Sequence, residues 1–155
     1  MRIVSALSIL LLFSVTACQF LGGGERVNGN GVLKAENRNL TGFKGVSAAG
    51  GMDVVLIPGS QHSVRIEADE NLLPHIVTEL DGDVLEIEPQ KGYNLRPDAG
   101  MRIYVTAPVF NTIEVSGSGN VTSQGRIRAE NKLETDISGS GSMKLDVDAP
   151  EVDME

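Results

Sequence analysis

The chain has 155 residues, enough for one domain and hardly for two. Its 21 Asp and Glu outnumber its 13 Lys and Arg, and the formal net charge of −8 excludes nucleic acid as an expected partner, because phosphate binding needs clustered cations. One Cys excludes an intrachain disulfide, and 18 Gly with no Trp favour short strands joined by tight turns over an aromatic-rich core.

The first segment has the pattern of a secretory signal. Arg2 precedes an apolar stretch, Ile3–Phe13, which is too short to span a membrane. Residues 15–18, VTAC, resemble the lipobox of bacterial lipoproteins, which implies cleavage after residues 1–17 and a diacylglycerol on Cys18. Two or more acyl chains anchor stably, so we expect membrane attachment through Cys18. The alternative is an ordinary signal peptide whose end happens to contain a cysteine.

The residues after the lipobox predict a location and a tether. Gln19 favours, by analogy, an outer-membrane lipoprotein of a Gram-negative bacterium, either surface-exposed or facing the periplasm. Residues 18–31 are rich in Gly and Asn, and we expect them to form a flexible tether. The folded domain is then predicted to comprise residues 32–155.

The body has the pattern of strands rather than helices. Asp53–Ile57 is a continuous apolar run, expected of a strand buried on both faces. Pro74 limits the one helical possibility to a single turn, so a turn followed by a strand from Ile76 to Leu80 is predicted. Polar and apolar residues alternate in three further segments: Ser63–Ala68, Val84–Glu88 and Met101–Thr106.

The second half of the chain contains an internal repeat. IEVSGSGNV at residues 113–121 returns 22 residues later as TDISGSGSM at residues 135–143, and a degenerate copy surrounds Ser47, about three periods before Ser116. This period suits one coil of a β-helix, with Val115 stacked on Ile137 and glycines at the corners. The repeat predicts an all-β fold, a parallel β-solenoid (a single-stranded β-helix) with coils of about 22 residues. An antiparallel β-sandwich is the alternative.

Several segments together resemble the GIN domain family. They are Gly42–Ser47, the Asp53–Ile57 strand, Asp69–Leu73 and the two Ser-Gly-Ser-Gly blocks. The family is described as an autotransporter adhesin head domain and is typical of bacterial envelope proteins. The resemblance covers roughly Phe43 to Glu155; it implies a right-handed β-solenoid and a role in adhesion, and it supplies no catalytic residues.

The end of the chain departs from the family pattern, which usually continues through further Ser-Gly-Ser-Gly coils. Val152 and Met154 begin a strand that no turn follows. We favour a truncated chain; the alternative is an open edge that another chain completes, including edge-to-edge self-association.

The candidate ligand-binding residues are Tyr93, Arg96, Arg102 and Tyr104. They are close in sequence, and either tyrosine could stack on a sugar ring, as on the outer sheets of β-helices that act on polysaccharides. The alternative is a solvated loop followed by an outward strand face. His62 and His75 have no neighbouring motif and are expected in surface turns, so no catalytic site, metal site or cofactor is predicted.

These observations predict a non-enzymatic cell-envelope lipoprotein that presents a β-solenoid for adhesion or ligand binding. The expected ligand is a glycan or another surface protein. A structural periplasmic protein is one alternative, and a carbohydrate-active β-helix enzyme is another.

Overall fold

The computed structural model describes residues 24–155. The predicted signal peptide, Cys18 and residues 18–23 of the predicted tether lie outside the described residues. The described chain forms strands and one short 3-10 helix, Leu73–His75. The strands are β1 Glu25–Asn28, β2 Leu33–Arg38, β3 Gly45–Gly50, β4 Asp53–Pro58, β5 Ser63–Asp69, β6 Ile76–Asp81, β7 Val84–Pro89, β8 Tyr93–Arg96, β9 Met101–Ala107, β10 Thr112–Gly117, β11 Asn120–Arg128, β12 Lys132–Gly139, β13 Ser142–Asp148 and β14 Glu151–Met154.

The strands form two six-stranded sheets and one two-stranded sheet. Sheet I has the order β14-β12-β10-β3-β7-β6, and sheet II has the order β13-β11-β4-β9-β5-β2. The third, which we call the β1–β8 sheet, pairs those two strands in parallel. Sheets I and II alternate buried and exposed residues along most strands and share one mainly aliphatic core, as expected for sheets solvated on one face.

The internal repeat pairs with itself as predicted. Thr112 lies opposite Glu134 in sheet I, and Asn120 lies opposite Ser142 in sheet II, each pair being 22 residues apart. Val115 is therefore in register with Ile137, and Val121 with Met143. Consecutive strands from β10 to β14 alternate between the two sheets and pair in parallel with the copy one coil away.

The degenerate earlier copy is a direct neighbour of the repeat. Ser47 lies about three periods before Ser116 in the sequence, but the two strands that contain them are adjacent in sheet I. β3 pairs directly with β10 and β4 directly with β11. The intervening segment pairs with the opposite edges of β3 and β4, through β7 and β9.

The described chain is all-β, as predicted, but a parallel β-solenoid is not confirmed. β5 pairs antiparallel with both β2 and β9, and β6 pairs antiparallel with β7. The sheets are therefore mixed, and mixed sheets fit the sandwich-like alternative. For β6 and β7 the physical reason is local: a short turn joins them, and a short turn can return the chain only antiparallel.

Two strand predictions have different outcomes. The turn and strand after Asp69 are confirmed, since the 3-10 helix Leu73–His75 leads directly into β6. The prediction that Asp53–Ile57 is buried on both faces is wrong. Val54 and Leu56 are buried, but Val55 and Ile57 on the opposite face remain half-buried.

Part of the predicted tether is folded. Gly24 to Gly31 were expected to be flexible, but Glu25–Asn28 form β1. The Glu25 amide donates to the Gly92 carbonyl at 2.7 Å, and the Gly29 amide donates to the Arg96 carbonyl at 2.7 Å. The glycines that suggested a tether instead allow close approach, since an added Cβ at Gly29 would overlap the Asp69 carboxyl group.

Candidate ligand-binding face

The outer face of sheet II brings polar residues from several strands into rows. Asp53 of β4 and Glu67 of β5 lie on either side of Arg102 of β9. In the next row, Val55 and Arg65 lie on either side of Tyr104. Successive side chains of a strand point to opposite faces of the sheet. The apolar residues of β5 and β9 point into the core, and the polar residues that alternate with them therefore face outward.

Tyr104 is held at the centre of this face by β5. Its hydroxyl donates to Glu67 Oε2 at 3.2 Å, and the Arg65 guanidinium lies 5.7 Å from the ring centroid, within cation–π range. Arg65 is in turn paired with Glu67 at 2.6 Å. These contacts fix a half-buried aromatic ring from the β5 side.

A surface depression lies on the other side of Tyr104, toward β4 and β11. Its lining includes Asp53, Val55, Arg102, Tyr104, Asn120 and Gln124. Asn120 Nδ2 donates to Asp53 Oδ1 at 2.9 Å, which fixes one wall. The lining combines an aromatic ring and an aliphatic side chain with hydrogen-bond donors and acceptors, which could bind a ligand with both apolar and hydroxyl-bearing faces.

Arg102 remains cationic in this setting. The neighbouring Tyr104 side chain raises the pKa of Arg102, and the carboxylates of Asp53 and Glu67 add to the effect. A second depression borders Arg102 on the side of Met101 and Glu67. Arg102 therefore presents a fixed positive charge between two carboxylates.

The other two candidate residues lie on a different sheet. Tyr93 belongs to β8, and its ring packs on the His75 ring with a centroid distance of 4.4 Å. Arg96 ends the same strand and is exposed. Neither residue lines the two depressions that border Arg102. The structure thus joins Arg102 and Tyr104, and it places Tyr93 and Arg96 apart from them.

The two histidines have structural partners. His62 Nε2 donates to the Phe43 carbonyl at 2.9 Å and packs edge-on against the Phe43 ring. His75 Nδ1 lies 3.0 Å from Gln90 Oε1. Within residues 24–155, no group of three or more His, Cys, Asp or Glu is placed to hold a metal ion.

Sequence reasoning missed the residues that β4, β5 and β11 contribute to this face. Asp53 and Asn120 are 67 residues apart in the chain, so no short motif could join them. The register of the degenerate repeat was the available signal, because aligning Val54 with Val121 places Asp53 beside Asn120. The period-two alternation around Arg65 and Glu67 predicted that both face outward, but not that they flank Tyr104.

The fold and this face define the class of molecule as an all-β domain of two packed sheets with a polar outer surface. The family model described as "Putative auto-transporter adhesin, head GIN domain" matches residues 42–155. The chain belongs to this family, which confirms the resemblance found in the sequence. A search of curated proteins finds no match.

Solved structures of three bacterial proteins are similar in fold. A putative lipid binding protein from Parabacteroides distasonis has a TM-score of 0.72 at 23% identity over 79% of this chain, which spans about half, 53%, of that protein. A putative adhesin from Parabacteroides merdae has a TM-score of 0.60 at 15% identity, covering 84% of this chain and 80% of that one. A putative adhesin from Bacteroides fragilis has a TM-score of 0.63 at 18% identity, covering 77% and 64%.

The family supports a coarse functional statement. Its description as an adhesin head domain indicates adhesion or ligand binding at the cell envelope or surface. Over residues 24–155, no helix has the length and apolar character to cross a membrane.

Proposed function

We propose that the chain is a non-enzymatic envelope lipoprotein, anchored through Cys18, whose sheet II outer face binds a glycan. The observation that carries the glycan proposal is the depression beside Tyr104, whose lining combines one aromatic ring with polar groups from three strands. Hydroxyl groups of a sugar can donate to Asp53 and accept from Arg102 and Asn120, while the ring covers an apolar sugar face. The adhesin names of the family and of two structural neighbours agree with a surface ligand.

The chemistry of the lining favours a polar ligand over an acyl chain. The Parabacteroides distasonis protein is named for lipid binding. In this chain, however, the depression contains Asp53 and Arg102, and covering their charged groups with an acyl chain would remove them from water without adding a hydrogen bond. A hydroxylated ligand satisfies them.

A binding assay with matched tyrosine variants tests the glycan proposal. We expect Tyr104→Ala to weaken binding of glycan-array hits at least about tenfold, equivalent to about 1.4 kcal/mol, since the ring forms the centre of the site. Tyr93→Ala is the control, because Tyr93 packs on His75 away from the depression. Equal losses in the two variants, or unchanged binding in Tyr104→Ala, would contradict the proposal.

The anchor and the orientation are tested in cells. We expect Cys18→Ala to release the protein from the membrane fraction and to abolish metabolic labelling with an alkyne fatty acid. Protease treatment of intact cells should remove a surface-exposed protein and spare one that faces the periplasm. Protein that remains in the membrane after the Cys18 change would refute the lipid anchor.

The enzyme alternative has its own readout. Incubation with the polysaccharide from which an array hit derives should release no soluble product. Product release would return the chain to the carbohydrate-active alternative and would assign a chemical role to the carboxylates that flank Arg102.

A further inference from the structure

The β1–β8 sheet displays an exposed polar face on one side. Arg26 and Asn28 of β1 are in register with Asn94 and Arg96 of β8, and all four side chains are exposed. Val27 and Leu95 occupy the alternate positions and turn toward the core. The two arginines therefore lie on one outward surface, which we call the arginine face.

We propose that the arginine face rests on an anionic lipid bilayer and thereby fixes which side of the domain faces the membrane. The inference depends on the proposed lipid anchor at Cys18 and adds an interaction surface to it. Three observations carry it: the docking of β1, the short distance to Cys18, and the distribution of charge.

β1 is firmly joined to the body of the domain. Beyond its pairing with β8, the Asn71 side chain accepts from the Asn30 amide at 3.0 Å and donates to the Asn28 carbonyl at 2.8 Å. The buried Asp69 carboxylate accepts from the Gly31 amide at 2.6 Å. The segment that leads from the anchor into the domain thus cannot swing freely about Gly31.

The distance between the anchor and β1 is small. Gly24 is the sixth residue after Cys18 in the sequence. Six residues span at most about 20 Å even when fully extended. The predicted tether to Gly31 would have allowed about twice that reach, so docking of β1 brings the β1–β8 sheet close to the bilayer surface.

Charge on the arginine face is opposite to that of the whole chain. Arg26, Arg96 and the nearby exposed Lys91 form no ion pair within residues 24–155, while Glu25 is the single carboxylate of β1 and β8. In contrast, one register row across the outer face of sheet I carries four carboxylates, with a serine of β3 between the second and the third: Glu79, Glu86, Glu114 and Asp136. An anionic leaflet attracts the first surface and repels the second.

The test uses the lipidated full-length protein in vesicles. A fluorophore is attached to Asn94→Cys on the arginine face or to Ser116→Cys on the outer face of sheet I, and a headgroup-attached nitroxide lipid is the quencher. Vesicles contain phosphatidylcholine alone or with about 30 mol% phosphatidylglycerol, which supplies the anionic surface potential. We expect the Asn94 label to be quenched strongly on the anionic vesicles, weakly on the neutral ones, and weakly at about 0.5 M NaCl, where charges are screened. The Ser116 label should be quenched weakly throughout.

A charge-matched pair of variants identifies the responsible cations. Arg26→Ser with Arg96→Ser should lower the equilibrium constant between the membrane-apposed and the free orientation about fivefold per cation, or about 25-fold together, and reduce quenching toward the neutral-vesicle value. Arg128→Ser with Lys144→Ser removes the same charge from exposed positions on β11 and β13 and should leave quenching unchanged. Equal quenching on both vesicle types, or equal losses in the two double variants, would overturn the proposal. Failure of the anchor itself is separate: intact-protein mass would lack the acyl chains and a second thiol, Cys18, would take up label.

Discussion

Asp69 joins three parts of the chain that are distant in sequence. Its carboxylate is fully buried and accepts from the backbone amides of Gly31, Asp98 and Ala99. Burial alone would raise the pKa of Asp69, but these amide donors outweigh it and hold the pKa below its ordinary value of 3.8. Asp69 thus connects the end of β5 to the segment after β1 and to the loop before β9.

The lowered pKa predicts an acid-dependent loss of stability. Because the folded-state pKa lies below the unfolded value, ionised Asp69 stabilises the fold above about pH 4, and this contribution is lost as the pH falls through the folded-state value. We expect Asp69→Asn to lower the free energy of unfolding by about 2 kcal/mol at pH 7 and to flatten its decline below pH 4. Urea denaturation at several pH values measures both effects. Asp83→Asn, in the exposed turn after β6, should change neither.

Gly117 shows why glycine recurs at the corners of the repeat. Its φ is +114°, and an added Cβ would lie 2.5 Å from the Gly50 carbonyl oxygen in the adjacent coil. That oxygen accepts from the Ser118 amide at 2.9 Å and the Gly119 amide at 3.1 Å, so it cannot move without breaking both hydrogen bonds.

Substitution at this corner should therefore be costly. We expect Gly117→Ala to reduce the free energy of unfolding by about 3 kcal/mol, from the backbone conformation and the overlap together. Gly82→Ala is the matched control, because Gly82 also has a positive φ, +59°, but no atom within 4 Å of the added Cβ. It should cost about 1 kcal/mol by thermal or chemical denaturation. Similar losses at the two positions would refute the close-approach argument.

At the scale of elements, carboxylates on neighbouring strands of sheet I lie opposite one another and repel. Glu79 lies directly opposite Glu86, and Glu114 directly opposite Asp136. Partial desolvation raises the pKa of Glu86, and the neighbouring carboxylates, Asp81 first among them, raise it further. Like charges at directly opposite positions destabilise a sheet, so the carboxylates on this face lower the stability of sheet I.

Removing one of these charges should stabilise the chain. Because the folded-state pKa of Glu86 is raised, its ionisation weakens the fold as the pH rises past 4.5, the ordinary value. We expect Glu86→Gln to raise the unfolding midpoint at pH 7, and the gain to shrink at low pH and at high salt. Thermal unfolding under these conditions measures the gain. Glu25→Gln, outside sheet I, should show no such pattern.

The sequence predicted elements far better than it predicted their neighbours. Alternation located β5, β7 and β9, and the Ser-Gly-Ser-Gly period predicted the register of β10 with β12. The sequence left the neighbours of β3 open because the length of chain between repeats is unconstrained. After β4 the chain forms five further strands, of which β7 pairs with β3 and β9 with β4, before β10 pairs with the other edge of β3. The period of the repeat alone does not specify with which edge of a strand the next copy of the repeat pairs.

The sequence predicted only part of the candidate site, because it does not show which distant strands become neighbours. Arg102 and Tyr104 belong to one strand, and period-two alternation places them on one face. Tyr93 and Arg96 were grouped with them by sequence proximity, but the turn at residues 97–100 separates two sheets. Contacts between strands such as Asp53 with Asn120 depend on register, which single-sequence patterns leave open.

At the scale of the whole molecule, the two ends of the sandwich-like body differ. β2, the last strand of sheet II at one end, carries the charged residues Lys34, Glu36 and Arg38, which protect an edge from pairing. At the other end, apolar residues in register with buried core positions become progressively exposed. Val115 is 2% exposed while Ile137 beside it is 41% exposed, and Leu133 is 1% exposed while Val152 beside it is 46% exposed.

The exposed apolar residues at this second end predict that two copies of the chain associate more strongly as the salt concentration rises. Val152 of β14 and Ile137 of β12 present apolar surface, but Glu151, Asp153 and Glu155 beside them would repel the same surface of a second copy. Screening at about 0.5 M NaCl weakens that repulsion and leaves hydrophobic association intact. For residues 18–155 carrying Cys18→Ser, which have no thiol to acylate, we expect sedimentation velocity to show more dimer at about 0.5 M than at about 0.05 M NaCl. Ile137→Lys with Val152→Lys should abolish the dimer at both concentrations by placing charges in the apolar contact, whereas Leu33→Lys, on exposed β2, should not. Association that falls with salt, or that survives the double variant, would show that the copies meet elsewhere.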